Sequence, residues 1–423
     1  MLFWVLFFVK FSYAQHPILI DTLNLEYRKE LESFYIQKTS VTKINIKSIE
    51  NKEVRKELER IYQENQDEFS EEIKKGIFVK DERYEDLIQK IFNTLKKANS
   101  DIHDMKILLA LSKEPNAYNN GEDIVVINLP LLKEINNEYE LAFVISHEIA
   151  HQMLNHVKKG TLKYVETSYS DKNKLEAKNI QKQKYNKSQN ANLILKRIIY
   201  GNREVSRKRE IEADSLGFVY FNKAYPKQNH QAISTLELLD KIDKEKDSLT
   251  DDDYKLLFDT PKQPFKRQWI VNDELGSYQY DKAQKFWQID SLKTHPDCED
   301  RIKLLQKQIK SDSSNAIIMT PEYSQIKSAS QYDELLGLYF IKDYGDSLYQ
   351  TLLLLKYNRD NVFLRKMVYD NLIKIQEAQN NYMLNKHLET INPLFSSSYN
   401  TYLYFIRKLR KAELENIIES YKY

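Results

Sequence analysis

The segment FVISHEIAHQMLNH, residues 143–156, holds three of the chain's eight histidines and one glutamate. On a helix, His147 and His151 stand one turn apart on one face, so both imidazoles can reach a single ion. Zinc takes such nitrogens at ~2.0–2.1 Å, and three protein ligands leave a fourth position for water. Glu148 follows His147 and hangs beside the ion, placed to take a proton from that water. This His-Glu-x-x-His spacing is the zinc-peptidase signature, which arises by accident in roughly one chain of this composition in a hundred. The bland alternative is two packed histidines beside a salt-bridged glutamate. His156, five residues past His151, is rotated ~140° off the shared face. It is expected to pack, or to orient a ligand, and not to bind the ion.

A third ligand must come from elsewhere. SRKREIEADSLG (206–217) offers Glu210, Glu212 and Asp214. Glu210 and Asp214 share a helical face, while Glu212 is turned ~200° from Glu210. A metal-facing Glu210 with Asp214 behind it would supply one ligand and one carboxylate to orient a ligand histidine. Geometry alone leaves Glu212 open for the ligand role, and a surface helix of Arg–Glu pairs remains the plain alternative. Cys298 is the only cysteine, which excludes an intrachain disulfide and a four-cysteine zinc site.

The elements that must position these groups follow from periodicity. YEDLIQKIFNTLKKA (84–98) repeats apolar residues at helical spacing. MKILLAL (105–111) and EDIVVINLP (122–130) are short β-branched runs that predict two strands, with the turn-forming PNAYNNG (115–121) between them. The second strand is expected at the sheet's edge, with a bound peptide lying along 122–128 as an added strand. The histidine helix has Asn137 as N-cap with Glu140 three residues on. Residues 158–190 are lysine-, asparagine- and glutamine-rich without an apolar face, which predicts an exposed insertion or loosely ordered helix. Residues 191–224 read as helix broken near Gly201, and 330–423 as amphipathic helix pairs only loosely matching a tetratricopeptide pattern. SASQ, at 328–331, marks the expected boundary before that tail.

The whole predicts an α+β, mostly helical chain: an N-terminal helical segment (15–100), a zinc-site domain (101–325) and a C-terminal helical domain (330–423). With Lys+Arg 64 against Asp+Glu 62, net charge +2, it lacks the one-signed surface that nucleic-acid binding needs. The start, MLFWVLFFVKFSYA, has an apolar run from Leu2 to Val9 and then Ser12-Tyr13-Ala14. That small-x-small pattern suits a signal peptide over 1–14, although no basic residue precedes the run. No other apolar run nears the ~20 residues of a membrane span. A secreted or periplasmic protein is expected.

Four blocks in order resemble the M48 family of zinc peptidases: NAYNNGEDIVVINLPLL (116–132), ELAFVISHEIAHQMLNH (140–156), SRKREIEADSLG (206–217) and THPDCEDRI (294–302). The likeness covers roughly residues 105–310 and implies a zincin (gluzincin) domain binding one Zn²⁺. By that resemblance Glu210 is the third metal ligand and Asp214 the aspartate behind it. His295, from the T-H-P block, lies near the metal as an oxyanion stabiliser or resting cap, and Arg301 follows it by six residues. The membrane spans of some relatives are replaced here by the polar interval 158–190, which points to the soluble, exported (Oma1/BepA-like) branch. The implied activity is endopeptidase action on exported or envelope proteins, with Glu148 as general base. The alternative is an exported chaperone or assembly factor with a latent zinc site, whose helical tail binds a protein partner.

Overall fold

All five residues of the run Ile124–Asn128 are buried, because helices cover both faces of the sheet that contains it. The computed structural model describes residues 24–182, 187–242, 244–271, 298–309 and 319–422. The expected signal segment 1–14 and His295 lie outside the described residues. The sheet comprises β1 (Phe78–Val79), β2 (Lys106–Ala110), β3 (Ala117–Asn119) and β4 (Ile124–Asn128), in the order β1-β2-β4-β3. β2 and β4 run parallel, and β1 and β3 join antiparallel at either side. Side chains alternate across a strand, so the apolar runs divide between two cores. Leu108, Ala110, Ile124 and Val126 face one core, and Ile107, Leu109, Val125 and Ile127 the other. A strand buried on both faces reads as a continuous apolar run.

The first core is closed by a hairpin of α1 (Leu25–Lys47) and α2 (Lys52–Lys75), through Leu31, Tyr35, Phe69 and Ile73. The second is closed by α3 (Glu82–Ala98), followed in the chain by α4 (Leu129–Glu134) and α5 (Glu138–Met153). Both β1 and α3 therefore belong to the sheet and its core. The boundary expected at residue 100 falls inside this unit, not at its edge.

The turn-forming segment supplies a strand of its own, which corrects the expected topology. β4 lies between β2 and β3, and the edge is β3, not 122–128. Asn119 Oδ1 accepts from Gly121 N and Asn120 Oδ1 from Glu122 N, both at 2.9 Å. Gly121 and Asp123 take positive φ, 81° and 57°. These side-chain-closed turns compress the reversal into four residues and free Ala117–Asn119 to pair.

The described residues of the polar interval are helical, as one of the two expectations had it. α6 (His156–Ser168) and α7 (Asp171–Lys182) precede α8 (Lys187–Ala224), which runs unbroken through Gly201. Val165 of α6, with Leu162 and Tyr169 beside it, packs on Ile46, Val54 and Leu58 of the hairpin. Beyond α9 (His230–Leu239) and α10 (Asp251–Phe258) lies α11 (Cys298–Gln306).

The tail comprises α12 (Pro321–Phe340), α13 (Tyr344–Leu355), α14 (Val362–Asn380), α15 (Ser397–Lys408) and α16 (Lys411–Tyr421). α12 continues through 328–331, where a linker was expected. Its Tyr323 and Ile326 pack into the sheet core and its Leu335 into the tail core. Tyr254, Phe258 and Trp269 join the tail core too, so α10 and the residues up to Trp269 are part of that unit. α12 and α14 begin farther apart than the 34 residues of a tetratricopeptide repeat, and the tail is not a fixed-period array. Asp333, in α12, ties the units together: Tyr84 donates to its Oδ2 at 2.5 Å and Arg83 Nη2 stands 2.8 Å away. Burial pushes this carboxyl up to about 6.

Candidate active site

α5 begins where expected. Asn137 Oδ1 accepts from Tyr139 N and Glu140 N at 2.9 and 3.0 Å. Glu140 reaches back one residue beyond the cap, accepting from Asn136 N at 2.8 Å. From Glu140 to Ala150 every residue is buried, and each fully buried Leu, Ile or Phe contributes about 1.5–3 kcal/mol. His147 and Glu148 are each 8% exposed, held at the inner end of a cleft.

α8 crosses α5 at Gly217. A Cβ there would lie 3.0 Å from His147 Cα and N, and 3.1 Å from Ser146 O. The bare backbone lets the two helices meet main chain to main chain. Glu210 and Asp214, on that same face of α8, are thereby brought to the histidines. His147 Nε2 and His151 Nε2 stand 3.0 Å apart. Glu210 Oε2 lies 3.5 Å from His147 Nε2, and its Oε1 lies 3.4 Å from His151 Nε2. A tetrahedral zinc ion with bonds of ~2.0–2.1 Å separates its ligand atoms by roughly 3.3 Å. These three donors fit one such ion.

Behind them, His147 Nδ1 is 2.9 Å from Asp214 Oδ1, a close pair although the ring N–H is not in line for a hydrogen bond. Arg301, 2% exposed, comes from α11. Its Nε and Nη2 donate to Asp214 at 2.6 and 2.8 Å, and its Nη1 lies 3.5 Å from Glu210 Oε2. The resemblance placed Arg301 beside the site, and the structure shows what it touches.

His156 also belongs here. Its Nδ1 is 3.0 Å from His151 Nδ1, and its Nε2 is 3.1 Å from Glu212 Oε2. A continuous helix would carry it away. Instead Asn155, at φ 55°, ends the helix in a left-handed turn, and α6 returns His156 beside His151. Glu212, left open as a ligand by spacing, pairs with His156 and lies beyond the donor cluster, which comprises His147, His151 and Glu210.

The buried charges call for a cation. Burial would raise Glu210, but hydrogen bonding and charge from His147 hold it well below the usual carboxylate range. Burial likewise opposes ionisation of Asp214, and Arg301 with His147 outweighs it. His147 is pushed up to about 10: burial acts downward, but Asp214 and Glu210 prevail. Burial and the His147 charge take His151 down to about 3. Two ionised carboxylates around one guanidinium leave negative charge, which a retained proton or a divalent ion can balance. Burial lifts Glu148 to about 7, with a backbone hydrogen bond from Asn119 acting the other way.

Asn119 itself was not singled out in the sequence. Asn128 N donates to Asn116 O and Asn120 N to Ile124 O, so residues 116, 118 and 120 bond toward β4. The alternation then turns the main-chain groups of Ala117 and Asn119 to the free edge, beside Glu148. A small pocket adjoins the site, walled by Ala117, Leu131, Phe143, Val144 and Leu236.

A helix carrying two histidines and a buried glutamate, a carboxylate from a crossing helix and an open strand edge together define a metal-dependent peptidase centre. Peptidase family M48 matches residues 81–309, more than half of the chain, and the chain belongs to that family. No curated protein matches it. Among the described residues no helix is long and apolar enough to cross a membrane.

Proposed function

We propose that the protein is a zinc-dependent endopeptidase acting on exported polypeptides. The observation that carries this is the convergence of His147, His151 and Glu210 on one point, with Glu148 beside them and the β3 edge open. When bound there, zinc polarises a scissile carbonyl and acidifies a water. The Glu148 carboxylate takes the proton from that water and delivers it to the leaving amine. Burial at the inner end of the site favours the protonated form of its carboxyl, which helps it to take up the proton it later returns. Asp214 orients His147, and the His156–Glu212 pair orients His151, so each ligand ring has a partner on its far nitrogen. An extended peptide adds to β3 through the outward main-chain groups of Ala117 and the carbonyl of Asn119, whose N–H is held by Glu148. His295 is assigned to the cleft by family resemblance alone.

Export rests on the apolar run Leu2–Val9 and the small-x-small pattern ending at Ala14. The alternative, an assembly factor with an idle zinc site, is not favoured where donor cluster and general base are both in place. The test is Glu148→Gln. It is expected to retain one zinc per chain by elemental analysis and to lose at least about 10²-fold in casein cleavage. Undiminished cleavage by the zinc-loaded variant would remove Glu148 from the reaction.

A further inference from the structure

Beyond the small pocket lies a second cavity of about 690 Å³, between the sheet-bearing core and the C-terminal helices. Three elements run from one to the other. Pro115, Pro130 and Ile242 line the large cavity, and their near neighbours in the chain, Ala117 of β3, Leu131 of α4 and Leu239 of α9, line the small one. The far wall is built by the tail: Gln350, Leu353 and Leu354 on α13, then Leu394, Phe395 and Tyr399. Its volume lies within the range of ligand-holding cavities. Lysines on the rim are matched by acids, Lys133 to Glu334 at 2.5 Å and Lys246 to Glu134. The groove therefore has no strong charge preference. Apolar, aromatic and amide side chains dominate what remains.

We propose that this groove holds the part of an unfolded polypeptide lying C-terminal to the bond being cut. This rests on the peptidase reading above. A peptide paired antiparallel with β3 runs its C-terminal side toward Pro115. At ~3.4 Å per residue, two residues carry it ~7 Å from Ala117 to the groove mouth. With the bond to be cut opposite Ala117, which shares the small pocket with His147 and Glu148, the third residue after the cut is the first to enter. The tail thus supplies substrate-binding surface, which the catalytic helices alone do not provide.

The experiment measures kcat/KM on three peptides built around one bond located in a casein digest by mass spectrometry. The first ends two residues after the cut, the second extends eight residues further, and the third extends eight residues on the N-terminal side. The zinc-loaded full chain is expected to prefer the C-extended peptide over the short one by about tenfold, through binding energy far from the reacting bond. Gln350→Trp narrows the groove. Leu394→Arg alters its rim at a position 53% exposed, where folding is not at stake. Each is expected to bring the ratio of C-extended to short close to one. Equal rates on both peptides for the unaltered protein, a preference that follows the N-terminal extension, or a ratio unmoved by both variants would each overturn the proposal. Failure to cut any of the three with zinc bound defeats the peptidase reading itself, and the groove's role with it.

Discussion

Gly217→Ala tests how the metal site is assembled. The added methyl would sit 3.0 Å from the His147 backbone and 3.1 Å from Ser146 O, whereas carbon atoms pack without strain at about 3.5–4.0 Å. Backbone atoms cannot rotate aside, so α5 and α8 must part by a few tenths of an ångström. Glu210 rides on α8 and the histidines on α5. Their 3.4–3.5 Å separations widen by a like amount, where metal geometry tolerates ~0.2 Å. Overpacking costs about 1–3 kcal/mol, and the intrinsic gain of Ala over Gly in a helix returns about 0.5–1 kcal/mol. The net, roughly 0–2.5 kcal/mol and about 1.3 at the middle of both ranges, falls on whichever state holds the helices together. If zinc must restore the close approach, its affinity drops roughly tenfold at that middle value. The assay is competition for zinc against a chromophoric chelator, with urea unfolding of the metal-free form in parallel. Gly160→Ala is the control, because the nearest atoms its new methyl meets are the movable end of Arg209. Wild-type zinc affinity in Gly217→Ala would refute the claim that this contact sets the ligand spacing.

Three further outcomes follow from the geometry. His156→Ala is expected to raise the zinc Kd by about 10–100-fold, and Glu212→Ala by less, because its side chain is 61% exposed; the same chelator competition reads both. Arg301→Gln leaves Asp214 and Glu210 buried without their cation and should cost the metal-free protein about 3–5 kcal/mol in urea unfolding, with saturating zinc restoring part of it. Asp333, raised to about 6 in the folded chain from about 3.9 unfolded, binds its proton more tightly when folded. Its contribution is therefore complete below about pH 4 and is lost as pH rises through 6, by roughly 3 kcal/mol. The stability of wild type relative to Asp333→Asn should fall across that window, and a flat difference would contradict it.

The half of the candidate site carried by α5 was legible because its logic is local. His147, Glu148 and His151 are fixed by one helix, and the Asn137 cap fixes where that helix starts. Glu210 and Asp214 were readable as a shared face, though only the resemblance chose Glu210 over Glu212. His156 was read as an orienting group or a packing residue. What returns it to His151 is the left-handed Asn155, a turn that helical spacing alone does not reveal. β3 was hidden for a similar reason: its asparagines signal a turn, and the turn is there, but it occupies only the last residues of the segment. Gly217 left a faint signal, since Ala213 and Gly217 place small residues four apart on the face that bears Asp214. The domain limits were least visible. The packing of Tyr254 and Trp269 against the tail, and the straddling of two cores by α12, depend on contacts far apart in the chain. Periodicity, which reports only neighbours, does not contain them.

The open side of the sheet has one more implication. A strand edge able to welcome a foreign backbone is equally able to recruit another sheet, the usual opening to aggregation. Here that edge is three residues long and closed at one end by the reversal at Asn120–Asp123. A guest chain must therefore find its remaining hold elsewhere on the protein, and a neighbouring copy gains too little from the exposed ladder to stay.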